Sequence, residues 1–221
     1  MIVEGTCGSG KTTLLRSAGS TFCDREVCLL AQRATYAALA LLEDDGTLND
    51  PSNRRILRDI LARIRRELVS SQQLVLVDTL HATHFVRAGA LTVASFVEID
   101  REVADLDALI VVLRISERSI RARTIEGRRD TGFYEYARKF GSTEDELTTY
   151  FAGEQDRLVE LLREHSRVRQ VVLDADQPAE TLREAFRGIV REHLERSLDG
   201  ARARARERDP AHPARTGPRR R

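Results

Sequence analysis

The sequence is poor in aromatic residues, which make up 5% of the chain, and it contains no tryptophan. Hydrophobic residues still account for 41%, so we expect one α/β domain with an aliphatic core. No apolar run approaches the roughly 20 residues that a membrane-spanning helix requires, and we expect no membrane partner.

Cysteine is also scarce. Cys7, Cys23 and Cys28 are odd in number and lie near the start of the chain. This pattern argues against a disulfide framework and predicts a reduced, cytoplasmic protein.

Lysine is almost absent, with Lys11 and Lys139 alone beside many arginines. Eight arginines and three acidic residues give residues 199–221 a formal charge of +5, so residues 1–198 carry −4 within the total of +1. A net acidic body lacks the basic surface of a nucleic-acid binder, and we expect no nucleic-acid partner.

A glycine-rich motif opens the chain, MIVEGTCGSGKTTLL. Met1–Glu4 predicts a short buried strand, and the residues from Lys11 onward predict a helix. Gly5, Gly10, Lys11 and Thr12 occupy the defining places of the strand–GxxxxGK[ST]–helix pattern of a P-loop. Backbone N–H groups in such a turn form an anion nest, to which the helix dipole adds positive potential.

The motif predicts a site for ATP and Mg²⁺, and its start at residue 5 leaves no room for a signal peptide. In this interpretation Lys11 contacts the β- and γ-phosphates and the Thr12 hydroxyl binds Mg²⁺. The predicted nucleotide-binding residues are Gly5, Thr6, Cys7, Gly8, Ser9, Gly10, Lys11, Thr12 and Thr13. A chance match is the alternative, and the strand and helix on either side argue against it.

Apolar runs and helical periodicity alternate along the chain. The predicted strands are Met1–Glu4, Glu26–Ala31, Gln73–Asp78, Ala108–Ile115 and Gln170–Asp174. The predicted helices are Gln32–Leu42, Arg54–Val69, Thr83–Val103 with a break near Gly89, Glu117–Arg129, Thr143–His165 and Ala179–Leu198, with a loop at Glu43–Asn53. This order predicts a three-layer α/β/α P-loop NTPase fold with a five-stranded parallel sheet over residues 1–198. Residues 199–221 are predicted to be a disordered arginine-rich tail.

Asp78 ends the strongest predicted strand, where a P-loop protein places a carboxylate that acts as a base or on Mg²⁺. Capping of the next helix is the alternative role. His81 and His84 follow, but a zinc site would lack a soft fourth ligand nearby. We predict instead that His81 contacts the acceptor substrate, with simple packing as the other interpretation.

An arginine-rich segment follows the fourth strand, and residues 117–132 are predicted to form a lid. Forked guanidinium donors on a closing segment neutralise the charge that phosphoryl transfer spreads over the moving group. The predicted catalytic arginines are Arg121, Arg123 and Arg128, with Arg129 as a further candidate and Gly127 and Gly132 as hinges. A solvated basic helix is the alternative.

Several of these segments resemble the corresponding segments of a known kinase superfamily. VEGTCGSGKTTLL resembles the opening of the thymidylate kinase and deoxynucleoside kinase superfamily, whose P-loops commonly read EG-x-x-G-x-GKTT. VLVD before TLHATHF is similar to the acidic strand end of that group, and LRISERSIRARTIEGRR resembles its strand, arginine-rich helix and lid. YFAGEQDRLVELLREHS and VVLDADQPAETLREAF are similar to its closing helix, last strand and base-side loop.

The chain departs from this pattern at two positions. Cys7 stands where thymidylate kinases carry an aspartate, and Thr79 stands where the family places an arginine that touches the acceptor or its phosphate. The resemblance therefore implies a different acceptor or a reduced activity. Arg33 lies where thymidylate kinases carry the arginine of their R-E-P-G motif, which implies a substrate-binding role, although the Glu and Pro of that motif are missing.

The sequence thus predicts a cytoplasmic kinase that moves the γ-phosphoryl group of ATP to a nucleoside, a nucleotide or a similar small-molecule acceptor. The alternative is a non-kinase P-loop regulatory protein that binds nucleoside triphosphates and hydrolyses them weakly, which Thr79 favours. A nucleic-acid-processing ATPase would need a basic surface, whereas residues 1–198 are net acidic. The acceptor, and whether the chain acts as a monomer or a homodimer, stay open.

Overall fold

The computed structural model describes residues 1–19, 27–30, 50–70, 74–88 and 92–208. The predicted helix Gln32–Leu42 and Arg33 lie outside these ranges, as do residues 209–221. Across the described ranges no helix combines the length and the apolarity that crossing a membrane requires.

Five parallel strands form one sheet, as predicted, each within two residues of its predicted bounds. They are β1 (Ile2–Glu4), β2 (Val27–Leu30), β3 (Leu74–Asp78), β4 (Leu109–Arg114) and β5 (Arg169–Asp174). The strand order is β2-β3-β1-β4-β5, so β1 lies at the centre of the sheet. In the register of the sheet, Val3 pairs with Asp78 on one side and with Val111 on the other. The residues that follow β1 and β3 therefore emerge side by side at one edge.

Eight α-helices in the described ranges flank this sheet. They are α1 (Lys11–Gly19), α2 (Asp50–Ser70), α3 (His81–Ala88), α4 (Val93–Ala104), α5 (Glu117–Ile120), α6 (Gly132–Ala137), α7 (Glu144–His165) and α8 (Ala179–Arg208). The predicted break near Gly89 separates α3 from α4, and the predicted capping box at Thr143 and Glu146 starts α7. The sequence did not predict α6.

Helix α2 at its start and helix α8 at its end differ from the prediction. Helix α2 begins at Asp50, inside the predicted loop Glu43–Asn53, because proline is tolerated in a first helical turn and Pro51 does not break it. Helix α8 continues ten residues past Leu198, into the segment for which a tail is predicted. Its last part alternates Ala and Arg, which are strong helix formers even where the apolar period has ended.

Each face of the sheet packs against helices, which gives three layers. One face buries the strand residues Val3, Leu76 and Val111 against Leu15 of α1 and Phe186 of α8. The other face buries a second set, which comprises Ile2, Val77 and Ile110 from the strands, Leu57 from α2, Phe96 from α4 and Leu162 from α7. The predicted α/β/α architecture is confirmed.

The last residue of the central strand, Glu4, is fully buried and lies against the start of α3. Its Oε1 accepts hydrogen bonds from the N–H groups of Leu80 and Ala82 at 3.1 and 3.3 Å. Its Oε2 accepts from the Thr83 hydroxyl at 2.6 Å and from the Thr83 N–H at 3.4 Å. A carboxylate at this place satisfies N–H groups that have no partner within the helix and complements the helix dipole.

The first prediction concerns this contact. Glu4→Gln should lower the free energy of unfolding by about 1–3 kcal/mol. The amide of glutamine has one accepting oxygen instead of two and carries no negative charge, so it cannot replace the hydrogen bonds that both carboxylate oxygens accept. Urea unfolding followed by circular dichroism measures the change. Glu164→Gln, at a half-exposed side chain of α7, is the control and should stay within about 0.5 kcal/mol of wild type. Equal effects of the two substitutions would contradict the capping role of Glu4.

Candidate active site

The turn between β1 and α1 adopts backbone conformations that side chains disfavour. Gly8 has a φ of +76°, and a Cβ atom at this position would lie 2.3 Å from Thr124 Oγ1. A Cβ atom at Gly5 would lie 2.6 Å from the carbonyl oxygen of Leu113. These glycines let the P-loop backbone lie directly against β4 and the segment that follows it.

The Lys11 side chain lies inside the concavity of the P-loop and is only 7% exposed. Its ammonium donates to the carbonyl oxygens of Gly5 and Thr6 at 2.7 and 2.8 Å, and its distance to Ser9 Oγ is 3.4 Å. Burial, followed by the nearby positive charge of Arg87, lowers the pKa of Lys11. The lysine is therefore held by neutral oxygens, at the place where the P-loop pattern predicts the phosphates.

Asp78 and Thr12 meet at the edge of the sheet, beside the P-loop. The Thr12 hydroxyl donates to Asp78 Oδ2 at 2.6 Å, and the Thr79 hydroxyl donates to Asp78 Oδ1 at 3.1 Å. A hydroxyl and a carboxylate in contact are the hard oxygen donors that suit Mg²⁺. Among the described residues, no three His, Cys, Asp or Glu side chains come together as a metal cluster.

Thr79 takes a strained conformation directly after this carboxylate. Its φ of +66° is unfavourable for a β-branched residue, and its N–H donates to the carbonyl of Val3 at 3.0 Å. The side chain is 3% exposed and hydrogen-bonded to Asp78. Thr79 thus orients the carboxylate but supplies no cation where the resemblance places an arginine.

The predicted lid is not one α-helix. After α5 the chain forms a π-helical turn at Arg121–Ile125 and a 3₁₀ turn at Glu126–Arg128. The fully buried Thr124 lies in the π turn and donates from its hydroxyl to the carbonyl of Cys7 at 2.7 Å. The lid segment therefore packs directly on the P-loop.

The structure places the predicted lid arginines on partners outside the P-loop. Arg121 pairs with Asp145 and lies 3.9 Å from Glu144, which also pairs with Arg129. Arg123 donates to the Ala175 carbonyl at 2.9 Å and lies 3.7 Å from Asp176, while Arg128 lies over the Phe133 ring at 4.8 Å. Their predicted catalytic role stays a prediction, and in this conformation they are held by acidic, carbonyl and aromatic groups.

The two histidines after Asp78 are buried in the core and face away from solvent. His81 is 0% exposed, lies 3.0 Å from Asp100 and stacks on Phe96. His84 lies 2.6 Å from Asn53 Oδ1, and burial lowers its pKa to about 4. The predicted acceptor contact of His81 is not supported, because the imidazole is packed between α3 and α4; the packing interpretation describes it better.

Sequence reasoning missed a buried ion pair beside the P-loop. Arg87 at the end of α3 donates to both carboxylate oxygens of Glu154 in α7, at 3.1 and 2.8 Å. The signal for Glu154 was present, since this acidic residue occupies the apolar stripe of α7 between Phe151 and Leu158. Nothing in the pattern around Arg87 distinguished it from the many other arginines.

Gly8 yields the second prediction. Gly8→Ala should lower the free energy of unfolding by at least about 1–2 kcal/mol and weaken nucleotide binding, because the new Cβ meets Thr124 in a disfavoured backbone conformation. Urea unfolding and calorimetric titration with a non-hydrolysable ATP analogue measure the two effects. Gly188→Ala in α8 is the control, because a Cβ there meets nothing within 4 Å. This control should raise the stability by about 0.5–1 kcal/mol. Wild-type stability in the Gly8→Ala protein would contradict the close contact.

Comparisons with known proteins identify the fold. No family model matches the chain, and no curated protein matches its sequence. A solved deoxyadenosine kinase from M. mycoides, with dCMP and a flexible dCDP bound as products, is similar in structure at a TM-score of 0.52 and 11% identity. The match covers 86% of this chain and 98% of that chain. The chain therefore has the parallel α/β/α P-loop fold that this deoxynucleoside kinase also has.

Proposed function

We propose that this chain is a phosphotransferase that moves the γ-phosphoryl group of ATP to a nucleoside, a nucleotide or a similar small hydroxylated acceptor. The observation that carries the proposal is the contact of Thr12 with Asp78 at 2.6 Å, beside the concavity that holds Lys11. A hydroxyl and a carboxylate suited to Mg²⁺ thus lie next to a cation suited to phosphates. A cytoplasmic location, where ATP and Mg²⁺ are abundant, belongs to the same proposal.

The backbone and Lys11 account for nucleotide binding. The N–H groups of the P-loop and of the first turn of α1 form an anion site, and the ammonium of Lys11 leaves its carbonyl partners for the phosphates. When bound, Mg²⁺ would be held by Thr12 and, through a water molecule, by Asp78, and would offset phosphate charge.

The proposed reaction forms one bond and breaks one bond at phosphorus. The oxygen of the acceptor hydroxyl bonds to the γ-phosphorus while the bond from that phosphorus to the β–γ bridging oxygen breaks, and ADP leaves with the electron pair. The hydroxyl proton passes to the Asp78 carboxylate, either directly or through a water molecule. Thr79 assists by holding Oδ1 of that carboxylate in place.

One observation favours the second candidate function, a regulatory protein that binds ATP and hydrolyses it slowly. Thr79 is 3% exposed and occupies the place of the family arginine, so no cation follows Asp78 to receive an acceptor phosphate. Turnover of ATP in the presence of individual nucleosides and nucleoside monophosphates separates the two functions. Stimulation by one acceptor with formation of its phosphorylated product supports the kinase, and slow hydrolysis that no acceptor stimulates supports the regulator. Failure to bind Mg·ATP would contradict both.

The third prediction concerns Asp78. Asp78→Asn should lower phosphoryl transfer by roughly 10²-fold or more, since the substitution keeps the shape but removes the base and the charge. Nucleotide affinity should change far less, because Lys11 and the backbone remain. Product formation and melting temperature are measured on one preparation. Asp156→Asn, at an exposed carboxylate of α7, is the control and should leave turnover unchanged. Near wild-type transfer in the Asp78→Asn protein would remove this carboxylate from the mechanism.

A further inference from the structure

The side chain of Arg87 is largely withdrawn from solvent. Its side chain is 10% exposed and that of its partner Glu154 is 4% exposed, with 2.8 Å between Nη2 and Oε1. Burying a guanidinium costs solvation free energy, which the carboxylate of Glu154 offsets in part. A buried ion pair of this kind is costly to keep for stability alone.

The pair is attached to the tip of the P-loop at two adjacent residues. Arg87 Nη2 lies 3.2 Å from Cys7 Sγ, and Glu154 Oε1 accepts from the Thr6 hydroxyl at 3.1 Å. The charge of Arg87 also contributes to the lowered pKa of Lys11. Two cations, Lys11 and Arg87, therefore lie near each other at one end of the predicted phosphate site.

The Nη1 group of the Arg87 guanidinium has N–H donors without a partner among the described residues. Nε and Nη2 donate to Glu154, and Nη2 also contacts Cys7. Nη1 has no hydrogen-bond partner within the part of the chain that the structure describes, so two of the five N–H donors stay available. Because the group is planar and rigid, Nη1 lies beside the nitrogen that contacts the P-loop.

In this conformation, the predicted lid arginines do not present guanidinium donors to the P-loop. Arg121 pairs with Asp145 of α7, Arg123 lies near Asp176 after β5, and Arg128 lies on an aromatic ring. Phosphoryl transfer develops charge on the oxygens of the moving group, and donors that are already oriented in a dry site stabilise this charge best. Arg87 is already oriented by Glu154.

We infer that Arg87 is a catalytic residue that donates from Nη1 to an oxygen of the γ-phosphoryl group during its transfer. The inference rests on the proposed function. As the acceptor oxygen bonds to phosphorus and the bond to the β–γ bridging oxygen breaks, Arg87 stabilises the charge on the transferred oxygens and neither gains nor loses a proton. Glu154 is a positioning residue, because it acts through the orientation of Arg87.

The competing role is a clamp that only holds the P-loop in shape. A clamp contributes equally to every bound nucleotide, whereas a donor to the transferred group contributes only when that group or its mimic is present. ADP alone, and ADP with aluminium fluoride as a mimic of the transferred phosphoryl group, therefore separate the two roles by affinity without any turnover.

Three variants and one control test the inference. Arg87→Lys keeps the charge but loses the planar fork. The double variant Arg87→Met with Glu154→Gln removes both charges, so neither charge is left buried alone. Glu154→Gln alone tests positioning. The matched control is Arg163→Met with Glu164→Gln, an exposed pair on the same helix. Melting temperature, calorimetric affinities and steady-state kinetics are measured for each.

We expect Arg87→Lys and the double variant to lower kcat by roughly 10²-fold or more, with the affinity for ADP within about 3-fold of wild type. The gain in affinity that aluminium fluoride adds to ADP should be lost in both. For Glu154→Gln, both kcat and this gain in affinity should lie between those of wild type and those of the two Arg87 variants. The control should match wild type in every measurement.

Two results would overturn the catalytic role of Arg87 and leave the proposed function standing. One is wild-type kcat in a folded Arg87 variant, and the other is an equal loss of affinity for ADP with and without fluoride, which would identify a clamp. A wild-type protein that binds Mg·ATP but phosphorylates no acceptor would instead overturn the proposed function, and the inference with it.

Discussion

The structure depends on one buried contact, that of the Glu4 carboxylate with the start of helix α3. Glu4 ends the central strand and directly precedes the P-loop, so this contact sets the position of α3 relative to the predicted phosphate site. The other end of α3 returns to the same loop, because Arg87 contacts Cys7. Helix α3 is thus attached at both ends to residues 4–7, and strand, helix and loop form one closed unit.

The charges around this unit are distributed unevenly. Lys11 is bound to carbonyl and hydroxyl oxygens, and no salt bridge of this lysine occurs among the described residues. The nearby carboxylates have other partners, since Asp78 accepts from two hydroxyls and Glu154 is bound by Arg87. In the proposed function, an entering triphosphate would therefore bind the lysine without breaking an ion pair among the described residues. Direct pairing of Lys11 with a carboxylate would weaken phosphate binding by competition.

The fold was largely predictable because its signals are local. Apolar runs specify strands that are buried on both faces, and the glycines around Lys11 specify the turn after the first of them. The neighbourhood of Thr12 and Asp78 followed from a general rule, that the carboxyl ends of parallel strands meet at one edge. The start of α2 was missed because Asp50-Pro51 is equally typical of a turn and of a first helical turn.

The rest of the candidate site depends on contacts between distant segments, which a pattern along the chain does not encode. Glu154 meets Arg87 only because α7 crosses the end of α3, and the sequence alone does not specify the rotation of either helix. The burial of His81 has the same origin, since it depends on Asp100 of the next helix. Polar residues on the apolar stripe of a helix, such as Glu154, are the signal that most deserved weight.

The close approach of Gly8 to Thr124 has a consequence for the history of this sequence. The two positions lie far apart in the chain, yet a side chain at position 8 would meet Thr124 and would also need a backbone φ of +76° that side chains disfavour. Any lineage that acquires a side chain at position 8 must first accept a smaller residue at position 124, or rebuild the π turn that presents it. A change at position 8 would therefore be tolerated only together with a change in the segment around Thr124.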